Sequence, residues 1–395
     1  MKILIADKVS AKMVSDLKSL GCEVVLDPEL SAETLAGALA GVEILIVRSK
    51  QVNAAAIEAG TALSLIIRAG AGVNSIDLKK ASERGVYVAN CPGKNTDAVA
   101  ELAIGLLIAA DRRIPDALLD LRAGKWRKKE YGKARGLKNR TLGIVGLGSI
   151  GCAVARRALG LEMNVIAWSR SLTAEKAKAL GVGFCASLNE LAEQADAVSL
   201  HLALAKDTRG LINADFLARL KKGALFVNTA RSEVVDVAAL REALRKGQIR
   251  AGLDVFDSEP AAAEAEFVDQ ELAMLLSAAG PHIGASTDQA EEAIAEETVH
   301  IARTFMQTGK PVNAVNPRKV HSGIPLVVRH YNRVGVLATV LHELRNEGIN
   351  IEEMENTIFD GELAACCSLL LDKTPSLSLM RRIAAGENII QATLK

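Results

Sequence analysis

Three residues, far apart along the chain, have the chemistry of a site that moves a proton and grips an anion: Arg231 in FVNTARSEVVD, Glu259 in GLDVFDSEP and His282 in GPHIGAS. Histidine changes charge near neutral pH and can serve as acid or base. A carboxylate bonded to it orients the ring and favours the imidazolium. An arginine offers a planar fork that holds a carboxylate and polarises a developing carbonyl. Taken singly, Arg231 and Glu259 also read as surface charges and His282 as a turn histidine. What groups them is position: each lies where a loop leaves the carboxyl end of a sheet strand, the place where open α/β sheets bind ligands.

A second pattern says what such a site could exchange. LGIVGLGSIG holds Gly146, Gly148 and Gly151 in the spacing G-x-G-x-x-G, after a strand-like run at 141–145 and before the helical run CAVARRALG. The first glycine makes a tight turn, the second lets backbone approach a pyrophosphate, and the third lets helix and strand close up. Ser149 and Ile150 fall at the start of the helix, whose N-terminus is aimed at the anion. With a further strand at 164–169, the order predicts a βαβ dinucleotide unit rather than an ordinary glycine-rich turn.

The elements around these residues follow from periodicity. Strands at 197–202, 225–228, 251–255 and 274–277, with helices at 174–180 and 237–246, fill out a dinucleotide domain placed at 96–284. Ahead of it, apolar runs at 3–6, 23–26, 44–47 and 65–67 alternate with SAKMVSDLKSLG and SAETLAGALAG. Each of those helical stretches opens on a capping serine and closes on Gly21 or Gly41. They make a smaller doubly wound domain, 1–95, to which a helix at 290–307 returns the chain within 285–315. A buried helix is expected at 97–112. The basic segment 126–140 reads as a solvated loop, or as a rim of charge that attracts an anionic substrate across a subunit interface.

After a Gly-, Pro- and Asn-rich linker at 309–323 the pattern changes. A strand at 325–330, a helix at 334–347, hairpin strands at 350–359 and 362–371 about Asp360-Gly361, a helix at 377–385 and a strand at 389–394 give the order βαββαβ. The fold class is therefore α/β. Two doubly wound parallel-sheet domains, flavodoxin-like and Rossmann, precede a ferredoxin-like module at 322–395.

Composition narrows the partners. Lys plus Arg (48) balances Asp plus Glu (47), and aromatics make up only 3%, which speaks against nucleic acid and anionic membrane surfaces. Six cysteines without a C-x-x-C pair read as reduced thiols, and six histidines show no metal-ligand spacing. The apolar runs are too short for a signal peptide or a bilayer span, so a soluble cytoplasmic protein is expected.

The runs GIVGLGSIG, NTARSEVVD, GLDVFDSEP and PHIGAST, in that order, resemble the D-2-hydroxyacid dehydrogenase family. VRSK, RAGAGVNSID and NTDAVAEL extend the match over about residues 40–313. The tail resembles an ACT domain, a combination similar to the D-3-phosphoglycerate dehydrogenase branch of that family. The resemblance implies hydride exchange between a 2-hydroxy acid and NAD or NADP, with Arg231, Glu259 and His282 catalytic. It implies that Arg48, Ser49, the backbone at Ala71 and Gly72, and Asn95 face the acid, with Arg48 and Lys50 suited to a distal phosphate. It adds His201, Thr229, Ala230, Asp254 and Gly284 to the cofactor contacts. Two other readings use the same residues: a hydroxypyruvate or glyoxylate reductase, and a dinucleotide-sensing interaction protein that turns over poorly.

The chain departs from the pattern in places. Ser169 and Arg170 stand where an acid would hold the ribose, an arrangement that welcomes the 2′-phosphate of NADP, although Ser169 can still bond the ribose of NAD. Ser232 and Val334 replace a glycine and a proline. In the tail, His330, Asn332 and Asn350 resemble serine-binding residues, which implies L-serine bound across two tails and a homodimer or homotetramer. Alternatively, His330 and Asn332 end a strand and cap the helix after it.

Overall fold

Short uncharged β-branched runs satisfy their backbone only by pairing, and here they pair in parallel. β1 (Lys2–Ile5), β2 (Glu23–Leu26), β3 (Ile44–Val47), β4 (Leu65–Arg68) and β5 (Tyr87–Asn90) form a sheet in the order β2-β1-β3-β4-β5. β3 is buried throughout, as a parallel strand covered on both faces must be. This is a computed structural model that describes residues 1–260, 264–318 and 322–395. By compactness it divides into two units, Met1–Asn316 and Pro317–Lys395.

The Ala11–Ser19 helix begins as expected, the Ser10 hydroxyl accepting the Met13 N–H at 3.2 Å. The second expected helix shrinks to Leu35–Ala38. Ser31 does not cap it; its hydroxyl accepts the N–H groups of Glu33 and Thr34 in a local turn. Gly37 within that stretch weakens a helix by about 1 kcal/mol relative to alanine. The Asp288–Thr308 helix lays Ile294, Val299, Ala302 and Phe305 against Ile3, Ile5, Ile44 and Ile46, so the chain does return to the five-stranded sheet.

The second sheet holds β6 (Thr141–Val145), β7 (Asn164–Trp168), β8 (Gly183–Phe184), β9 (Ala197–Leu200), β10 (Ala224–Asn228), β11 (Ile249–Leu253) and β12 (Ala278–Ala279). Its order, β12-β11-β10-β9-β6-β7-β8, reverses direction between β6 and β9, the switch point where such sheets take ligands. One expectation fails here. Residues 274–277 are not a strand, because Asp269 caps a Gln270–Leu275 helix by accepting the Leu272 N–H, and the strand comes later as β12.

The Thr96–Arg112 helix packs Ala103, Leu106, Leu107 and Ala110 on Leu142, Ile144 and Val154. At its end the buried Asp111 accepts Arg140 at 2.8 Å and the Gly136 N–H at 3.0 Å. This pins the basic segment down. Arg127, Lys133, Arg135, Lys138 and Arg140 each pair with a nearby acid, which leaves Lys128 and Lys129 without one among the described residues. The rim of charge is therefore largely neutralised within the chain.

The second unit stands as a separate antiparallel sheet, β13 (Ile324–Tyr331), β14 (Ile351–Ile358), β15 (Ala364–Leu371) and β16 (Ile389–Leu394), in the order β14-β15-β13-β16. The Val336–Asn346 and Leu377–Ala384 helices complete the βαββαβ succession. Asn332 does not cap the first of them: its amide donates to the Glu362 carbonyl, and Gly335 at φ 88° makes the turn into the helix.

Candidate active site

The carboxyl ends of both parallel sheets open on one cavity of about 760 Å³. From the first sheet come Arg48 and Ser49 after β3, Arg68 closing β4, Ala71 beyond it, and Asn95 at the start of the Thr96–Arg112 helix. From the second come Glu259 after β11 and His282 after β12.

Glu259 and His282 meet. His282 Nδ1 donates to Glu259 Oε2 at 2.7 Å, and Glu259 Oε1 accepts the Phe256 N–H at 2.9 Å. Burial alone would raise the Glu259 pKa. The His282 bond, the Phe256 N–H and the charges of His282 and Arg231 outweigh it, and the carboxyl is held below its ordinary value. With Nδ1 engaged, Nε2 is the ring nitrogen left for a substrate.

His282 has a φ of 55°, a left-handed conformation that a non-glycine residue adopts only when its surroundings impose it. Asp254 imposes it. This carboxylate is 1% exposed and accepts the N–H groups of Ile283 (3.0 Å) and Gly284 (2.8 Å). Burial raises its pKa. Asp254 and Gly284, expected at the cofactor, are hydrogen-bonded to each other and hold the turn that carries His282.

Arg231 enters beside Gly72. A Cβ on Gly72 would stand 2.8 Å from Arg231 Nη2, so a side chain there would make the guanidinium shift. Its Nη1 donates to the Ala230 carbonyl at 2.6 Å, and the Ala230 N–H is held by Asn228 Oδ1. Thr229 is buried, and its hydroxyl has no partner among the described residues.

Two residues were not singled out from the sequence. Arg68 lines the cavity with a buried Nε that has no partner among the described residues, and burial followed by the charge of Arg231 lowers its pKa. Its sequence signals are a charge ending an otherwise apolar strand and its place at the head of the run RAGAGVNSID. Asp7, beyond β1, is 8% exposed, and one oxygen accepts the N–H groups of Arg48, Ser49 and Lys50 at 2.7, 3.1 and 3.1 Å. Its other oxygen accepts the Ser49 hydroxyl at 2.8 Å. Lys50 donates to the Pro28 carbonyl and is not among the cavity's lining residues.

The fingerprint glycines behave as the spacing predicts. A Cβ on Gly146 (φ 94°) would lie 2.4 Å from the His201 carbonyl oxygen, and one on Gly151 would lie 2.1 Å from the Gly146 oxygen. Beside Gly148, which precedes the Ser149–Gly160 helix, there is open space. Gly146, Gly148, Ser169, Arg170 and His201 line a groove of about 170 Å³. His201 bonds Ser199 at 2.8 Å, and burial pushes its pKa down to about 3. Across the groove Arg170 pairs with Asp207.

A doubly wound sheet with a glycine fingerprint, facing a cavity that holds a bonded carboxylate–histidine pair, defines a nicotinamide-dependent dehydrogenase. Residues 104–284 match the model of the D-isomer specific 2-hydroxyacid dehydrogenase NAD-binding domain. A D-3-phosphoglycerate dehydrogenase of Methanocaldococcus jannaschii is 34% identical over 399 residues, covering 100% of this chain and 74% of that protein. A hydroxypyruvate reductase of Thermotoga maritima is 39% identical over 306 residues, covering 77% of this chain and 96% of the relative. The NAD+-bound 3-phosphoglycerate dehydrogenase structure of Entamoeba histolytica aligns with a TM-score of 0.67 at 28% identity, covering 80% of this chain and 98% of that one. The chain belongs to the D-isomer specific 2-hydroxyacid dehydrogenase family, and it is an NAD(P)-dependent oxidoreductase.

Proposed function

We propose that the chain is a D-3-phosphoglycerate dehydrogenase, which exchanges a hydride between 3-phosphoglycerate and a nicotinamide dinucleotide to give 3-phosphohydroxypyruvate, the first step of L-serine synthesis. The observation that carries this reading is the run of arginines, Arg48, Arg68 and Arg231, beside the His282–Glu259 pair. A substrate with a carboxylate at one end and a phosphate at the other needs cations spread along its length.

In this reading His282 Nε2 takes the hydroxyl proton as the carbonyl forms, and Glu259 stabilises the imidazolium that results. Arg231 holds the carboxylate and polarises the new carbonyl oxygen, and Asn95 and the Ala71 backbone face the acid. A nicotinamide held there would supply the hydride chemistry in both directions. Gly146, Gly148 and Gly151, with the Ser149–Gly160 helix N-terminus, would hold its pyrophosphate. Ser169 and Arg170 would meet the adenosine ribose, which favours NADP or dual use, whereas Asp207 competes for Arg170 and lessens its pull on a 2′-phosphate.

A second reading, a hydroxypyruvate or glyoxylate reductase, is favoured by the acid that sits on Arg48. Steady-state reduction of 3-phosphohydroxypyruvate against hydroxypyruvate, each with NADH and NADPH, separates the two. The proposal expects the phosphorylated acid to win clearly in kcat/KM, and a preference for hydroxypyruvate sinks it.

The tail is read as an ACT domain that binds L-serine. His330 pairs with Ala365 on β15, while Asn350 precedes Ile351, which pairs with Leu371 at the other end of that strand. The two lie about 20 Å apart at the rise of a strand. A serine touching His330, Asn332 and Asn350 therefore needs Asn350 from a second copy. His330 is 2% exposed, with Nδ1 on the Tyr331 carbonyl and Nε2 3.2 Å from the Asn356 amide, so Asn332 is the more accessible contact. A homo-oligomer is further supported by the Ile114–Arg122 helix, which buries none of its residues. Leu119 and the nearby Trp126 are 63% and 80% exposed, an apolar face of the kind that associates.

A further inference from the structure

Arg48 and Arg68 line the cavity, Arg231 acts by charge on Arg68 and Glu259, and of the three only Arg48 is neutralised. Arg48 Nη2 lies 2.8 Å from Glu291 Oε1, whereas Arg68 and Arg231 have no ion-pair partner among the described residues. The pairing is fixed from both sides. Asp7 anchors the Arg48 backbone N–H at 2.7 Å, and Glu291 stands in the first turn of the Asp288–Thr308 helix, which follows directly on the turn carrying His282. Arg68 feels the charges of both Arg231 and Arg48, and Arg48 and Arg68 line the same cavity.

We propose that Glu291 is a specificity-determining residue: its carboxylate is an internal counter-anion on Arg48 that the distal anionic group of a long substrate must displace. The inference rests on reading this cavity as the 2-hydroxy-acid site. A phosphate group carries a charge of about −1.5 to −2 at pH 7 and cannot share the Arg48 guanidinium with a carboxylate without like-charge repulsion. A short acid that ends before Arg48 leaves the pair intact. Glu291 therefore sets how strongly the site distinguishes phosphorylated from unphosphorylated acids, and acts only through Arg48.

Both side chains are partly exposed, at 35% and 45%, so screening keeps the effect modest. Glu291→Gln keeps the length and an oxygen for the guanidinium while removing the charge. The test is calorimetric titration of the full chain, saturated with NAD, with 3-phosphoglycerate and with glycerate. The substitution is expected to shift the ratio of the two Kd values in favour of the phosphorylated acid by about three- to tenfold. In an Arg48→Ala background the same substitution should shift nothing. An unchanged ratio, a shift that persists without Arg48, or no binding of 3-phosphoglycerate to either protein overturns the inference. Turnover is measured separately. If hydroxypyruvate is the better substrate while the Kd ratio still moves, the phosphoglycerate reading falls and the role of Glu291 stands.

Discussion

His282 is the residue on which turnover should depend and cofactor binding should not. It touches the cavity and Glu259, and lies outside the groove lined by Gly146, Gly148 and Ser169. His282→Ala is expected to lower kcat by about 10²–10⁴-fold. Cofactor Kd, read by quenching of protein fluorescence, should stay near normal, and loss of both together would remove the assignment. Glu259 carries a second expectation, in pH. Its folded pKa lies below the ordinary value of 4.5, so it adds stability that is in full above that pH and drains away as pH falls through the depressed value. The gap in Tm between wild type and Glu259→Gln should therefore be wider at pH 7 than at about pH 3.5. A gap that widens on acidification would mean that the carboxylate is not stabilised by His282 and Arg231.

At the scale of elements, the site is a set of strand ends, and Asp7 shows how one end is tied to another. Its carboxylate gathers three successive N–H groups and a hydroxyl from the loop after β3. Asp7→Ala leaves those donors unpaired, with an expected cost of about 2–4 kcal/mol in unfolding free energy. KM for the acid should rise several-fold while cofactor Kd holds; an unchanged KM would show that the loop keeps its place without this anchor. Such ties explain what could be read from the chain and what could not. Fully buried strands such as β3, β9 and β10 announce themselves as uncharged apolar runs, and the glycine fingerprint carries its own spacing. The stretch at 274–277 is equally apolar, but the cap at Asp269 turns the segment before it into helix. Arg231, Glu259 and His282 are legible because each ends a run with a chemically distinctive side chain. Asp7, Arg68 and Glu291 are not, because their significance arises only when separate strand ends and a distant helix meet.

At the scale of the whole molecule the question is how many copies make one regulatory site. His330 and Asn332 lie at one end of the tail's sheet and Asn350 at the other, so a serine site built from all three, as proposed, would take half from each of two tails. Truncating Asn332 loses its side-chain bond to the Glu362 carbonyl but keeps its backbone N–H on the Leu363 carbonyl, and the Asn350 N–H on Asp372 is also backbone, so the strands stay paired in either variant. The expected outcome is that millimolar L-serine slows the wild-type enzyme, and that neither Asn332→Ala nor Asn350→Ala responds. Subunits exchanged between the two variants would include mixed pairs with one site built from intact halves and the other doubly damaged. Serine sensitivity should then reappear in the mixture although both parents lack it. A site contained in one tail could not recover this way, because every tail in the mixture carries a lesion. Recovery thus requires copies that meet through their tails, and its absence after verified exchange would return Asn332 and Asn350 to ordinary turn residues.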